Sequence, residues 1–275
     1  MRLANFERDG EVRAGRVEGD SIAPLAAPPI DAGLDLEALL AAPAEAAIPL
    51  TDVRLLAPVL RPGKVLCLGL NYHGHVTESK RELPTYPVLF AKFADSIIGP
   101  ADEIVAPPES EQIDYEAELV VVIGRRARRV SAAEALGVVA GYSIANDVTM
   151  RDYQYKSHQW LQGKTWPRST PVGPWLVTGE EIDDAASLGI SLALNGEEMQ
   201  SSNTERMIYG VAETISLLSQ FTELSPGDLV LMGTPGGVGY RRDPQVFLEP
   251  GDRVEVRIEG IGSIENRVIA EGADA

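Results

Sequence analysis

Three carboxylates, Asp114, Glu116 and Glu118, alternate with Ile113, Tyr115 and Ala117 in the stretch QIDYEAELVVVIG, residues 112–124. On a strand, residues two apart share a face at roughly 7 Å. Two carboxylates at that separation repel by about 2–2.5 kcal/mol at an effective dielectric near 20. One reading is a solvated strand end whose acids point at water. The other follows from Leu119 to Ile123, an unbroken apolar run of the kind buried on both faces. That run draws at least Glu118 towards the interior, where an unpaired charge is costly and a cation would satisfy it. Carboxylates without His or Cys suit Mg²⁺, Mn²⁺ or Ca²⁺. Asp147, in SIANDVTMRD, follows another apolar run and offers a third ligand. If Glu116 and Glu118 open one strand and Asp147 closes another, the three can meet only where those strands run antiparallel.

Other residues could share the chemistry. The chain has three histidines, and two lie in LGLNYHGHVTE with Glu78 three residues beyond His75. On a helical turn, residues i and i+3 face each other, so Glu78 could orient and charge His75 as a base. A pair of exposed loop residues and a His-x-His metal site are the other readings of His73 and His75, though no later histidine completes such a site. His158 is expected to be structural. LMGTPGGVG (231–239) looks like a phosphate loop but fits neither nucleotide-binding spacing. A turn presenting backbone N–H groups to an anion is what remains. Lys164, between Gly163 and Trp166, reads either as a surface lysine or as part of a shaped site. Cys67 reads as a core residue and RRARR (125–129) as a solvated strand end.

The elements that must position these groups are legible in outline. Residues 2–6 and 11–17 predict two strands around an Asp9-Gly10 hairpin turn. A short helix is expected over 34–41. KVLCLGL (64–70), residues 118–123 and residues 138–147 predict strands, and Asn71 to Pro84 reads as a polar loop. Ser131 to Glu134 forms a capping box opening a short helix. Apolar residues at 207, 208, 211, 215 and 218 predict a helix over 204–220. Two PGD turns (226–228 and 250–252) each precede a strand-like run. Strands dominate with no regular βαβ alternation, so the fold class is α+β.

A formal charge of -17 argues against nucleic acid and anionic membrane as partners, and an anionic ligand would need a local positive centre. One cysteine excludes an internal disulfide and suits a reducing compartment. With no apolar leader and no 18-residue apolar run, the expectation is a cytoplasmic, soluble protein.

Taken together, LGLNYHGHVTE, FAKFADSIIGP, DYEAEL, VAGYSIANDVTMRD, QGKTWPRSTPVGPWL, LNGEEMQSSNTERMIYG and PGDLVLMGTPGGVG resemble the fumarylacetoacetate hydrolase superfamily, in family order over about residues 65–270. The resemblance implies a mixed β-roll or distorted-barrel catalytic domain (59–275) behind a small α/β N-terminal domain (1–58), usually as a homodimer. It implies one Mg²⁺ or Mn²⁺ per chain on Glu116, Glu118 and Asp147. It also implies a lid dyad of His75 and Glu78 that activates water, an active-site Lys164, and substrate contacts from Arg151, Gly233 and Thr234. The implied activity is hydrolytic C–C cleavage of an acylpyruvate, a small anionic keto acid. Decarboxylation of oxaloacetate or tautomerisation of a 2-hydroxy-dienoate could use the same site, and a non-catalytic metal-binding scaffold is the reading from another class. TWPRSTP (165–171) and Met232 depart from the family's common residues and bear on the substrate's variable end.

Overall fold

The computed structural model describes residues 1–182 and 185–273. Strands dominate the fold. The largest sheet carries, in spatial order, Ile48–Pro49, Ser21–Pro24, Glu11–Glu18, Arg2–Arg8, Thr170–Thr178, Val139–Asn146, Ala117–Ile123, Leu229–Leu231, Val65–Gly69 and Val88–Lys92. Its two end strands are not paired with each other among the described residues, so the sheet is mixed and does not close into a barrel. A second sheet is built from Glu197–Asn203, Gly189–Leu194, Arg253–Ile258, Gly262–Ala270 and Ile104–Ala106. The strands of residues 1–58 do not form a sheet of their own, because Arg2 and Leu3 pair with Val177 and Leu176.

The apolar run after Glu118 is buried on both faces, and the pleat divides it. Leu119, Val121 and Ile123 enter a core shared with Ile190, Val256 and Ile264 of the second sheet. Val120 and Val122 point the other way, onto Leu3, Leu176 and Cys67. Each such side chain contributes about 1.5–3 kcal/mol, so the strand is fixed in depth and register. Leu119→Ala would cost about 2–5 kcal/mol. Cys67 is a fully buried core residue, and burial, then Asp147 and Glu118, push its thiol well above the ordinary range.

Local signals set most element ends. Asp9 and Gly10 both have positive φ, as a type I′ hairpin turn requires. Gly227, third in its turn, sits at φ +84°, and a Cβ there would lie 2.8 Å from the Asp31 carbonyl. The capping box at Ser131 and Glu134 is formed, and Asp35 caps the helix Leu36–Ala41. The helix expected over 204–220 is shorter, spanning Val211–Phe221 behind an N-cap at Gly210. Tertiary pairing wins upstream of it: Asn71 accepts the Ile208 N–H on its carbonyl and the Tyr209 N–H on its side chain, which holds 208–209 out of a helix. Residues 71–84 are not wholly loop, since His73–Glu78 form a six-residue helix. Of RRARR, Arg125 and Arg126 are solvated, whereas Ala127 is buried and bridges to Leu224.

Candidate active site

Ala117–Ile123 and Val139–Asn146 run antiparallel, with Ala117 opposite Asn146. Glu116 and Asp147 therefore flank the same end of the ladder, and the Asp147 N–H donates to the Glu116 carbonyl at 2.8 Å. Glu116, Glu118 and Asp147 are all buried, and ligand oxygens from the three lie within 4.8 Å of one another. Just beyond, the short ladder of Ile113–Asp114 with Thr149–Met150 carries Asp114 and Arg151 to the same place.

Cations surround the acids. Lys164 Nζ lies 2.7 Å from Glu116 and 2.6 Å from Asp147. Arg151 salt-bridges Glu116 at 2.6 Å and Asp114 at 2.7 Å, and it donates to Gln154 at 3.0 Å. Lys92, at the end of its strand, lies 2.6 Å from Asp147 and donates to the Val148 carbonyl. Burial alone would raise the Glu116 carboxyl, but Lys164 and Arg151 outweigh it and hold the group well below the usual carboxylate range. Glu118 goes the other way, pushed up by burial and by Asp147 and Glu116. Its only hydrogen-bond donor among the described residues is a neutral group, the Gly233 N–H at 2.8 Å. Four buried carboxylates (Asp114, Glu116, Glu118, Asp147) thus face three cations (Lys92, Arg151, Lys164). The unbalanced negative charge falls on Glu118.

This donor set fits a hard divalent cation. All three candidate ligands are carboxylates, no His or Cys joins the cluster among the described residues, and Mg²⁺ or Mn²⁺ prefers oxygen. A doubly charged ion would convert the buried excess of one negative charge into one positive charge. The burial of the Tyr72 hydroxyl, which leaves it without a hydrogen-bond partner among the described residues, adds a further polar group to the cluster. Burial and then Glu118 push the pKa of that phenol well above its ordinary value, so it holds its proton more tightly.

The helix His73–Glu78 covers the acids. His75 is 9% exposed, and its Nδ1 lies 2.7 Å from Glu78. With Glu78 ionised, Nδ1 must carry the proton, which leaves Nε2 as the basic atom. Glu78 also accepts the Gly237 N–H at 2.8 Å, and Tyr209 donates its hydroxyl to the Pro84 carbonyl at 3.0 Å. The pocket beneath, lined by His75, Glu116, Glu118, Lys164 and Thr234 among others, retains about 20 Å³. That is room for about one water.

The expected site residues are therefore adjacent, with differences of detail. The turn at 231–239 does present N–H groups to anions, but the anions are the chain's own: Gly233 serves Glu118, Gly237 serves Glu78, and Gly239 serves Asp114 at 2.8 Å. Gly233 has φ +87°, and a Cβ would come within 2.8 Å of Asn71 Cβ, so only glycine fits. Thr234 lines the pocket and accepts from Gln200 Nε2 at 2.8 Å. His73 and His158 are exposed and apart from the site. Sequence reasoning passed over Lys92, Gln154 and Gln200, and gave Asp114 no role in the site. A lysine closing the apolar strand VLFAK was the one available signal for Lys92.

Three buried, convergent carboxylates thus sit at the floor of a strand-built cleft, beneath the short helix that carries His75. The fumarylacetoacetate (FAA) hydrolase C-terminal family matches residues 64–269, and the Rv2993c-like, N-terminal family matches residues 1–58. The chain belongs to the fumarylacetoacetate hydrolase family. It is 47% identical over 224 residues to the mitochondrial oxaloacetate tautomerase FAHD2A of Bos taurus, covering 81% of this chain and 71% of the relative. The 5-carboxymethyl-2-hydroxymuconate delta-isomerase of Mycobacterium smegmatis superposes with a TM-score of 0.84 at 34% identity, over 98% of this chain and 100% of that one. The 2-hydroxyhepta-2,4-diene-1,7-dioate isomerase of Mycobacterium marinum gives 0.84 at 36% identity, over 99% of each chain.

Proposed function

We propose that this enzyme moves a proton next to the carbonyl of a small 2-oxo acid, and that its reaction is keto–enol tautomerisation of oxaloacetate. The observation that carries the reading is the His75–Glu78 pair seated over the buried carboxylate cluster. It puts one basic nitrogen, Nε2, at a small buried pocket whose floor fits a divalent cation. The names of the bovine relative and of the two isomerases support proton transfer within an oxo or hydroxy acid rather than any other use of that base.

Glu116, Glu118 and Asp147 would hold Mg²⁺ or Mn²⁺, which when bound supplies Lewis-acid stabilisation of negative charge on the 2-oxo oxygen. The remaining work belongs to side chains. His75 Nε2 takes the proton from the carbon between the carbonyl and the distal carboxylate, and the imidazolium then delivers that proton to the 2-oxo oxygen, which gives the enol and returns His75 to its neutral form. Glu78 stabilises the imidazolium between the two events. Lys164 and Arg151 keep Glu116 ionised, and Lys164 with Lys92 brackets Asp147. The closed lid excludes water, which strengthens each of these interactions.

Acylpyruvate hydrolysis is the second reading, favoured by the same dyad, because a base that reaches substrate carbon could instead deprotonate a water in the one-water space beneath it. One experiment separates them. With Mn²⁺ present, the decay of the enol absorbance of oxaloacetate and the loss of acetylpyruvate are followed side by side. Acceleration of the first alone supports tautomerisation, whereas cleavage of acetylpyruvate with no effect on the enol would move the assignment to hydrolysis.

A homodimer and a reducing compartment complete the proposal. A cleft of about 920 Å³ lies away from the carboxylates and is lined by Leu36, Leu40 and Leu136 among others. Such a largely apolar lining suits a subunit contact, testable by sedimentation. The lone buried Cys67 fits the cytoplasm, while the bovine relative is mitochondrial by name. No described helix is long and apolar enough to cross a membrane.

A further inference from the structure

The cations lining the pocket are not equivalent. Lys164 is neutralised by Glu116 and Asp147, and Arg151 by Asp114 and Glu116. His75 is paired with Glu78. Arg81, on the lid three residues past Glu78, also lines the pocket, yet among the described residues it makes no salt bridge. Its guanidinium instead lies over the ring of Trp160, 6.0 Å from the centroid. Trp160 packs on Phe90 with centroids 5.7 Å apart, and Lys164 Nζ lies 4.8 Å from the Phe90 centroid on the inner side. An aromatic wall therefore runs from the carboxylate cluster to the lid, with a neutralised cation at its inner end and an uncompensated one at its outer end. Gly69 seats the wall, because a Cβ there would lie 2.2 Å from the Trp160 ring.

We infer that Arg81 binds the distal carboxylate of the substrate and so selects dicarboxylic over monocarboxylic 2-oxo acids. This rests on the reading of the pocket as an oxo-acid site. A 2-oxo acid places its first carboxylate and carbonyl at the inner end, and among the described cations lining this pocket Arg81 is the one without a salt bridge that a second carboxylate could meet. The Arg81 guanidinium lies near the indole face while the residue itself is exposed, so its N–H groups stay open to a planar carboxylate. In a chain of net charge -17, such a local counter-charge is what a dianionic ligand needs. Arg81 follows the helix His73–Glu78, its backbone N–H donating to the Val76 carbonyl. Engagement of the distal carboxylate therefore draws His75 and Glu78 into place, so selection and closure are one event.

The test uses the full chain with Mn²⁺, as wild type, Arg81→Gln and Arg81→Lys. Malate and lactate differ by one distal carboxylate, as do oxaloacetate and pyruvate. By calorimetry, wild type binds malate more tightly than lactate, by roughly 10- to 100-fold for one charge-assisted pair. Arg81→Gln collapses that preference to about 2-fold, and Arg81→Lys restores part of it through its charge. In kinetics, the oxaloacetate KM of Arg81→Gln rises far more than the inhibition constant of pyruvate. Equal losses for both ligands, no loss for either, or a wild type without malate preference would each overturn the inference. If wild type fails to tautomerise oxaloacetate, the proposed reaction falls, while the malate and lactate comparison still decides the role of Arg81.

Discussion

Glu118→Gln puts the electrostatics of the buried cluster to a direct measurement. Glu118 is the carboxylate that no cation in the cluster neutralises, and its carboxyl is pushed up from the ordinary 4.5 by burial and by Asp147 and Glu116. A raised folded-state value means that the native state holds the proton more tightly than the unfolded chain does. Without a divalent ion, wild-type stability is therefore highest below about pH 4.5 for this group and declines as pH rises from there to the folded-state value. Glutamine removes the charge and keeps an oxygen to accept the Gly233 N–H. The metal-free variant should thus melt at or above metal-free wild type at neutral pH. With Mn²⁺ at about 100 times its Kd, wild type gains about 2.7 kcal/mol by mass action, or a rise in Tm of about 5–10 °C for a chain of this size. The variant loses one of three anionic ligands and should gain less than about 2 °C. Because Glu118 must release its proton to bind, the wild-type gain should also increase with pH across the range where it titrates. Differential scanning calorimetry from pH 5 to 8, with and without Mn²⁺, reads all three effects. An undiminished Mn²⁺ shift in the variant would refute the three-carboxylate site. A metal-free variant several degrees less stable than wild type would refute the electrostatic argument itself.

His75→Ala should lower oxaloacetate tautomerisation by about 10²–10⁴-fold while leaving the Mn²⁺-induced Tm shift intact; loss of that shift would make His75 a ligand instead. Glu78→Gln should reduce the rate less, because it keeps a partner for His75 Nδ1, and equal damage from both substitutions would count against a dyad. Asp114→Asn removes a buried charge that Arg151 and the Gly239 and Tyr240 N–H groups share. Breaking such a pair costs about 3–5 kcal/mol, so thermal unfolding should shift markedly and activity should fall with it; a Tm within 1 °C of wild type, at the precision such shifts resolve, would show that Asp114 is dispensable. Amide exchange in residues 72–84 should slow when malate and Mn²⁺ are added, as for a closing lid, and identical protection with and without them would exclude gating by this segment.

The alternation of Asp114, Glu116 and Glu118 before a five-residue apolar run was enough to place carboxylates at the mouth of a buried strand, since the pleat leaves no other face for Leu119 to Ile123. The i,i+3 spacing of His75 and Glu78 likewise determined their contact once any helical turn formed there, and the turn residues at Asp9-Gly10 and Pro226-Gly227 dictated their own conformations. Tertiary structure decided which charges meet. Lys92, Lys164 and Arg151 come from separate segments, and nothing local distinguishes a lysine that will end beside Asp147 from one that will end in water. Only the folded chain assigns them to Glu116 and Asp147, leaves the excess charge on Glu118, and turns the glycine-rich turn towards the protein's own acids. The helical period beginning at Met207 was overridden for the same reason: Asn71, 137 residues upstream of Ile208, takes both backbone groups that a helix would have used. Periodicity and turn chemistry act over a few residues and can be read along the chain. Charge compensation acts through space at 2.6–2.7 Å and exists only after the strands have paired.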